Sequence, residues 1–98
     1  MNLVFASRRL EQCYENEANA VRAWGPQVGR RYIQRINLLY AVRSFDELFN
    51  FQALRLHPLR GQRAGEWAMT LQGRWRLIIE LLSEDTILVK EVSHHYGD

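Results

Sequence analysis

The chain has 98 residues and a mass of 11.6 kDa, which leaves room for one domain built on one core. It is 47% hydrophobic and 24% charged, a globular mixture rather than a disordered one, and no apolar run approaches the roughly 20 residues of a membrane span. The single cysteine, Cys13, excludes an internal disulfide framework and a multi-cysteine zinc site, and the first residues lack the basic lead-in and long apolar stretch of a signal peptide, so a cytoplasmic chain is expected.

Residues 2–6 read as a short strand, and Ser7 is placed to cap a helix that opens at Arg8. Leu10, Cys13, Tyr14, Val21 and Trp24 recur at helical spacings and predict one buried face, with a break near Asn16. Gly25-Pro26 punctuates the chain, and proline suits the first position of a second helix over residues 26–43. Val28, Tyr32, Ile36, Leu39 and Tyr40 form its apolar stripe, whereas Arg30, Arg31 and Arg35 read as a solvated face. Ser44 and Glu47 have the spacing of a capping box for a short final turn.

The texture then changes. His57-Pro58 and Gly61 mark a loop. Trp67 to Leu71 alternates like a strand, Gln72-Gly73 reads as a tight turn, and Trp75 to Leu82 is apolar enough for a central strand. After a turn at Glu84-Asp85, residues 86–92 form a further strand. The predicted architecture is α+β: an N-terminal strand, two or three helices, then a three-strand antiparallel meander with the helices on one face.

Net charge is only +2, but twelve of the thirteen basic residues are arginine. Codon usage in a GC-rich genome explains that preference as well as function does. Placement is more informative. Between Arg55 and Arg76 lie five arginines against one acid, Glu66, a candidate phosphate footprint. Arg74 and Arg76, two apart, are expected to share one face of a strand with Trp75 on the other. Arginine grips phosphate bidentately, and histidine is the natural proton carrier near neutral pH. If Arg76, Arg74, His95 and the loop 57–63 converge, they suit RNA cleavage by internal transphosphorylation. Tyr96 or Trp67 then offers a base-stacking surface, although Trp24, Tyr32, Trp67 and Trp75 fit a core equally well. The adjacent His94-His95 lacks the surrounding ligands of a metal site, and no cofactor is expected. Cys13, on a predicted buried face, reads as a structural thiol.

The run Leu56-His57-Pro58-Leu59-Arg60-Gly61-Gln62-Arg63-Ala64-Gly65-Glu66-Trp67, with Gly73-Arg74-Trp75-Arg76-Leu77, resembles the HigB-like, plasmid-maintenance-killer group of the RelE/ParE toxin superfamily. The ending Glu91-Val92-Ser93-His94-His95-Tyr96-Gly97-Asp98 is similar to the terminus of one branch of that group. The likeness covers essentially the whole chain as a single domain, residues 1–98. It implies a microbial-ribonuclease-like fold and a type II toxin that cuts mRNA in the ribosomal A site without a metal. A HigA-like helix-turn-helix antitoxin is implied as partner, with operator DNA bound only through that complex and no membrane involved. By the same resemblance Arg76 supports the scissile phosphate, His95 is a general acid or base, His57 is a candidate base, and Tyr96 assists phosphate binding. Arg60, with Arg63 and Arg74, contributes charge to the RNA backbone. Ser93 departs from the aspartate usual two residues before the terminal histidine. A non-ribonucleolytic antitoxin-binding module, or a gyrase-directed ParE-like toxin, is the alternative, and a generic RNA-binding domain is a third reading.

Overall fold

The computed structural model describes residues 1–94. Strand β1 (Asn2–Phe5) leads into helices α1 (Arg8–Glu15), α2 (Glu17–Trp24) and α3 (Pro26–Ala41). Two 3-10 turns, Phe45–Asn50 and Gln52–Leu54, carry the chain to β2 (His57–Pro58). A further 3-10 turn, Gly61–Arg63, precedes β3 (Glu66–Gln72), β4 (Trp75–Ser83) and β5 (Thr86–Ser93). The class is α+β, as the sequence predicts.

The N-terminal helical stretch breaks at Asn16 because that residue is extended and caps the next helix, accepting from the Ala18 N–H at 2.9 Å. Ser7 caps α1 through its hydroxyl, accepting from the Leu10 N–H. Ser44 makes no side-chain cap, contrary to the capping-box expectation. The Glu47 carboxylate instead accepts from the Arg43 N–H at 3.0 Å, one residue further back. Tyr40 is 43% exposed rather than part of the buried stripe, and leans on the Tyr14 ring at 5.7 Å.

The sheet has five strands in the order β1-β5-β4-β3-β2. The predicted meander is its antiparallel centre. Two additions were not legible locally: β1 closes one edge by pairing parallel with β5, and the two residues of β2 pair with β3 at the other. All three helices cover one face. Leu10, Cys13, Ala20, Val28, Tyr32, Ile36 and Leu39 meet Met69, Leu71, Leu77, Ile79, Ile87 and Val89 there, all buried. Burying a large aliphatic or aromatic side chain is worth about 1.5–3 kcal/mol, so this layer is the principal source of stability. Gly29 sets the α2–α3 spacing, because a Cβ at that position would lie 2.7 Å from the Ala20 carbonyl carbon. Trp67 belongs to this covered side, packed against Phe45 and Phe49 at 5.1 and 5.7 Å, and is not a base-stacking platform.

Of the three arginines expected on a solvated face, Arg30 and Arg31 are exposed and Arg35 is half-buried, but Arg31 and Arg35 are also anchored to the sheet. The β3–β4 register slips between Thr70 and Gln72, and the two guanidinium groups donate to the main-chain carbonyls there. Arg31 reaches Leu71 and Arg35 reaches Thr70, each at 3.2 Å. They tie α3 to the strand irregularity and satisfy carbonyls that an uneven ladder serves poorly. Burial, reinforced by neighbouring Arg31, lowers the pKa of Arg35. Among the described residues no helix is long and apolar enough to cross a membrane.

A candidate active site on the open sheet face

The face of the sheet opposite the helices carries the polar alternates of the same strands. Register places Thr70, Arg76 and Ser93 side by side on β3, β4 and β5. The adjacent row holds His57, Ala68, Ile78 and Glu91 on β2 to β5. At the β2 side, Arg55, His57, Thr70 and Arg76 line a cleft of about 290 Å³. The two arginines supply positive charge, the histidine a titratable nitrogen and the threonine a hydroxyl.

Two of these groups are held before any ligand arrives. Arg76 Nη1 donates to the carbonyls of Gly73 and Trp75 at 2.6 and 3.1 Å. Both contacts orient the guanidinium. His57 Nδ1 lies 2.9 Å from the Arg55 carbonyl. Since a carbonyl only accepts, Nδ1 carries the proton, and Nε2 is the basic nitrogen of the neutral ring. The Thr70 hydroxyl is buried and has no hydrogen-bond partner among the described residues.

Further along the same face the charges are paired. Arg63 joins Glu66 of β3, at 2.6 Å, to Glu91 of β5, and so spans β4. Lys90 bridges Glu66 and Glu80 at 3.0 and 3.4 Å. Burial alone raises the Glu66 carboxyl, but hydrogen bonds from Lys90 and Arg63 outweigh it and hold the group below its ordinary range. The hydrogen bond to Glu91 raises the Arg63 guanidinium.

The sequence-derived site residues therefore divide. Arg76 and His57 line one cleft. Arg63 lies in the carboxylate network instead. Arg60 is exposed in the loop after β2 and does not line the cleft. Arg74 is not on the strand with Arg76, because the hairpin turn is Gly73-Arg74 rather than Gln72-Gly73. Gly73 takes φ +55° there and Gln72 pairs with Trp75, as a two-residue hairpin with glycine first requires. Arg74 lines a separate groove with Trp24, Gln72, Trp75 and His94, and the His94 ring stands 4.7 Å from that of Trp75. His95 and Tyr96 lie outside the described residues. Arg55 enters the sequence reading only as one of the five arginines of the phosphate footprint, and Thr70 does not enter it at all. Thr70 has no local signal, because only the register slip between Thr70 and Gln72 sets it opposite Arg76. Cys13 is buried, and burial raises its thiol pKa, which keeps it protonated and inert.

No family model matches the chain. The endoribonuclease HigB of Proteus vulgaris is 32% identical over 66 residues, which cover 64% of this chain and 72% of that protein. Among solved structures, a YoeB/ParE toxin from Agrobacterium tumefaciens superposes with a TM-score of 0.59 at 18% identity, covering 98% of this chain and all of the other. The YoeB dimer and the YoeB–YefM complex from Staphylococcus aureus give 0.58 and 0.56, each at 16% identity and 98% coverage of both chains. These likenesses show the fold. The HigB relative, 32% identical and matched over 72% of its length, shows that the protein belongs to the HigB family.

Proposed function

We propose that this toxin is an endoribonuclease that cuts mRNA on the ribosome by metal-independent internal transphosphorylation. The observation that carries the reading is the cleft where His57 and Arg76 meet, bordered by Arg55 and Thr70. The Proteus vulgaris relative is named an endoribonuclease, which supports the same reaction for this chain.

In the proposed reaction, His57 Nε2 takes the proton of the ribose 2′-hydroxyl. The 2′-oxygen then bonds to phosphorus, and the bond from phosphorus to the 5′-oxygen breaks. His95 returns a proton to that leaving oxygen, and the products are a 2′,3′-cyclic phosphate and a free 5′-hydroxyl. Arg76 stabilises the added charge on the phosphorane, and its anchored guanidinium needs no reorganisation to do so. The Thr70 hydroxyl donates to a non-bridging oxygen. Arg74, in the hairpin turn, and Arg60, in the loop after β2, add positive charge that attracts the RNA backbone, and Tyr96 assists in phosphate binding. Arg63 acts by neutralising Glu91, which otherwise repels a phosphate from the neighbouring row. A HigA-like helix-turn-helix antitoxin silences the toxin and takes the complex to operator DNA; a fold neighbour bound to YefM supports the partnership. Ribosome dependence rests on the family resemblance.

Primer extension on a defined mRNA in a reconstituted translation system tests this. Cuts that need ribosomes and weaken about 10²–10³-fold in Arg76→Ala support it. If folded wild-type protein produces none, the toxin acts as a gyrase-directed or purely antitoxin-binding module.

A further inference from the structure

We propose that Arg55 is a positioning residue, whose left-handed backbone aims its carbonyl at His57 and fixes which nitrogen of that ring is basic. The inference deepens the proposed function, because it rests on His57 acting as the base. Among the described non-glycine residues Arg55 alone has a positive φ, at φ 48° and ψ 43°. A side chain with a Cβ resists this region, so the surroundings must impose it. They do so from both sides. Leu54 is 1% exposed and anchors the preceding turn in the core. The Arg55 N–H donates to the Gln52 carbonyl at 3.0 Å, closing that turn. Two residues on, His57 is already paired with Ala68 at the sheet edge. The change of direction must be made between these fixed points.

The result is a peptide plane that presents the Arg55 carbonyl to His57 Nδ1 at 2.9 Å. The next peptide plane follows ψ of Arg55, so an extended residue at this position points the carbonyl elsewhere. Loss of that acceptor removes the bias this contact gives towards the Nδ1–H form that makes Nε2 the base. Glycine meets the backbone demand without strain, yet an arginine occupies the position, and it also lines the cleft with Arg76. The residue thus has two separable parts, a carbonyl that sets the histidine and a guanidinium that faces the phosphate.

Nitrogen-15 NMR of the neutral imidazoles separates them, with His57→Gln identifying the resonance. Wild-type His57 is expected as the Nδ1–H tautomer. Arg55→Gly and Arg55→Asn, which both tolerate the left-handed region, keep that tautomer, and Arg55→Gly raises KM for RNA. Arg55→Val, whose branched Cβ disfavours it, shifts the ring towards Nε2–H and lowers kcat about tenfold or more, a fraction of what general-base catalysis supplies. A wild-type ring in the Nε2–H form overturns the proposal without any variant, so it remains falsifiable even where Arg55→Val fails to fold. So does a folded Arg55→Val protein with an unchanged tautomer. A His57→Gln enzyme that cleaves at the wild-type rate overturns the base assignment instead, whatever the tautomer.

Discussion

Trp75, Arg76 and Leu77 are consecutive in one strand, yet they serve different ends. Trp75 and Leu77 pack into the layer beneath the helices, and Leu77 is fully buried. Arg76 projects from the other face into the cleft. The covered face is apolar and closely fitted, whereas the open face holds nearly all the charge of the sheet. One face keeps the molecule folded and the other holds its chemistry. The alternation of a β-strand lets both be written into the same few residues.

If that division holds, substitutions on adjacent residues part company. Arg76→Ala is expected to lose about 10²–10³-fold in cleavage with little change in a urea unfolding midpoint. Leu77→Ala is expected to lose about 2–5 kcal/mol of stability while the cleavage rate of the remaining folded protein stays near wild type. A large stability loss in Arg76→Ala would break the comparison. Gly29→Ala sharpens it from the helical side. The added methyl meets main-chain atoms of Ala20, so α2 and α3 must separate, at a cost of about 1–3 kcal/mol by calorimetry.

Smaller effects belong to the paired end of the open face. Arg63→Ala leaves Glu66 and Glu91 without a shared cation. A loss of roughly 1–2 kcal/mol in denaturant titration is expected, because the network is only partly screened by solvent. RNA affinity should fall as well, since Glu91 then carries its charge uncompensated beside the cleft. Glu66 makes a pH prediction. Its folded carboxyl is held below the ordinary value, so its stabilising contribution is complete above about pH 4.3, the unfolded value for glutamate. The contribution fades as pH falls through the folded value. Glu66→Gln should flatten the acid limb of a stability–pH curve and leave the neutral limb parallel to wild type.

Local signals in the sequence carried most of the elements. Gly25-Pro26, Ser7 and the helical spacing from Leu10 to Trp24 each describe neighbours in the chain and agree with the structure, except that Ala20 rather than Val21 is the residue α2 buries. Arg76 was legible because strand alternation is local too. The misreadings are where partners are distant. The hairpin turn moved by one residue because β3 gives up its register near Leu71, where Arg31 and Arg35 arrive from α3. Arg74 left the strand as a result. Arg63 counted as a free phosphate ligand only while Glu91, 28 residues away, was out of view. Arg55 is legible as a charge in the footprint but not as a turn, because nothing in its side chain announces a left-handed backbone; burial of Leu54 and the pairing of His57 impose it.

The parallel pairing of β1 with β5 bears on how the molecule is made. Asn2 lies opposite Thr86 and Phe5 opposite Val89, so an early strand waits for a late one across a loop whose closure entropy is roughly 4 kcal/mol. Such long-range parallel contacts form slowly, whereas α1 to α3 join through neighbouring residues and can pack as synthesis proceeds at about 5–20 residues per second. Ser93, which completes the row beside Arg76, belongs to the same late strand. A nascent chain of this protein therefore has its helices and all twelve arginines before β1 and β5 can close the edge of the sheet.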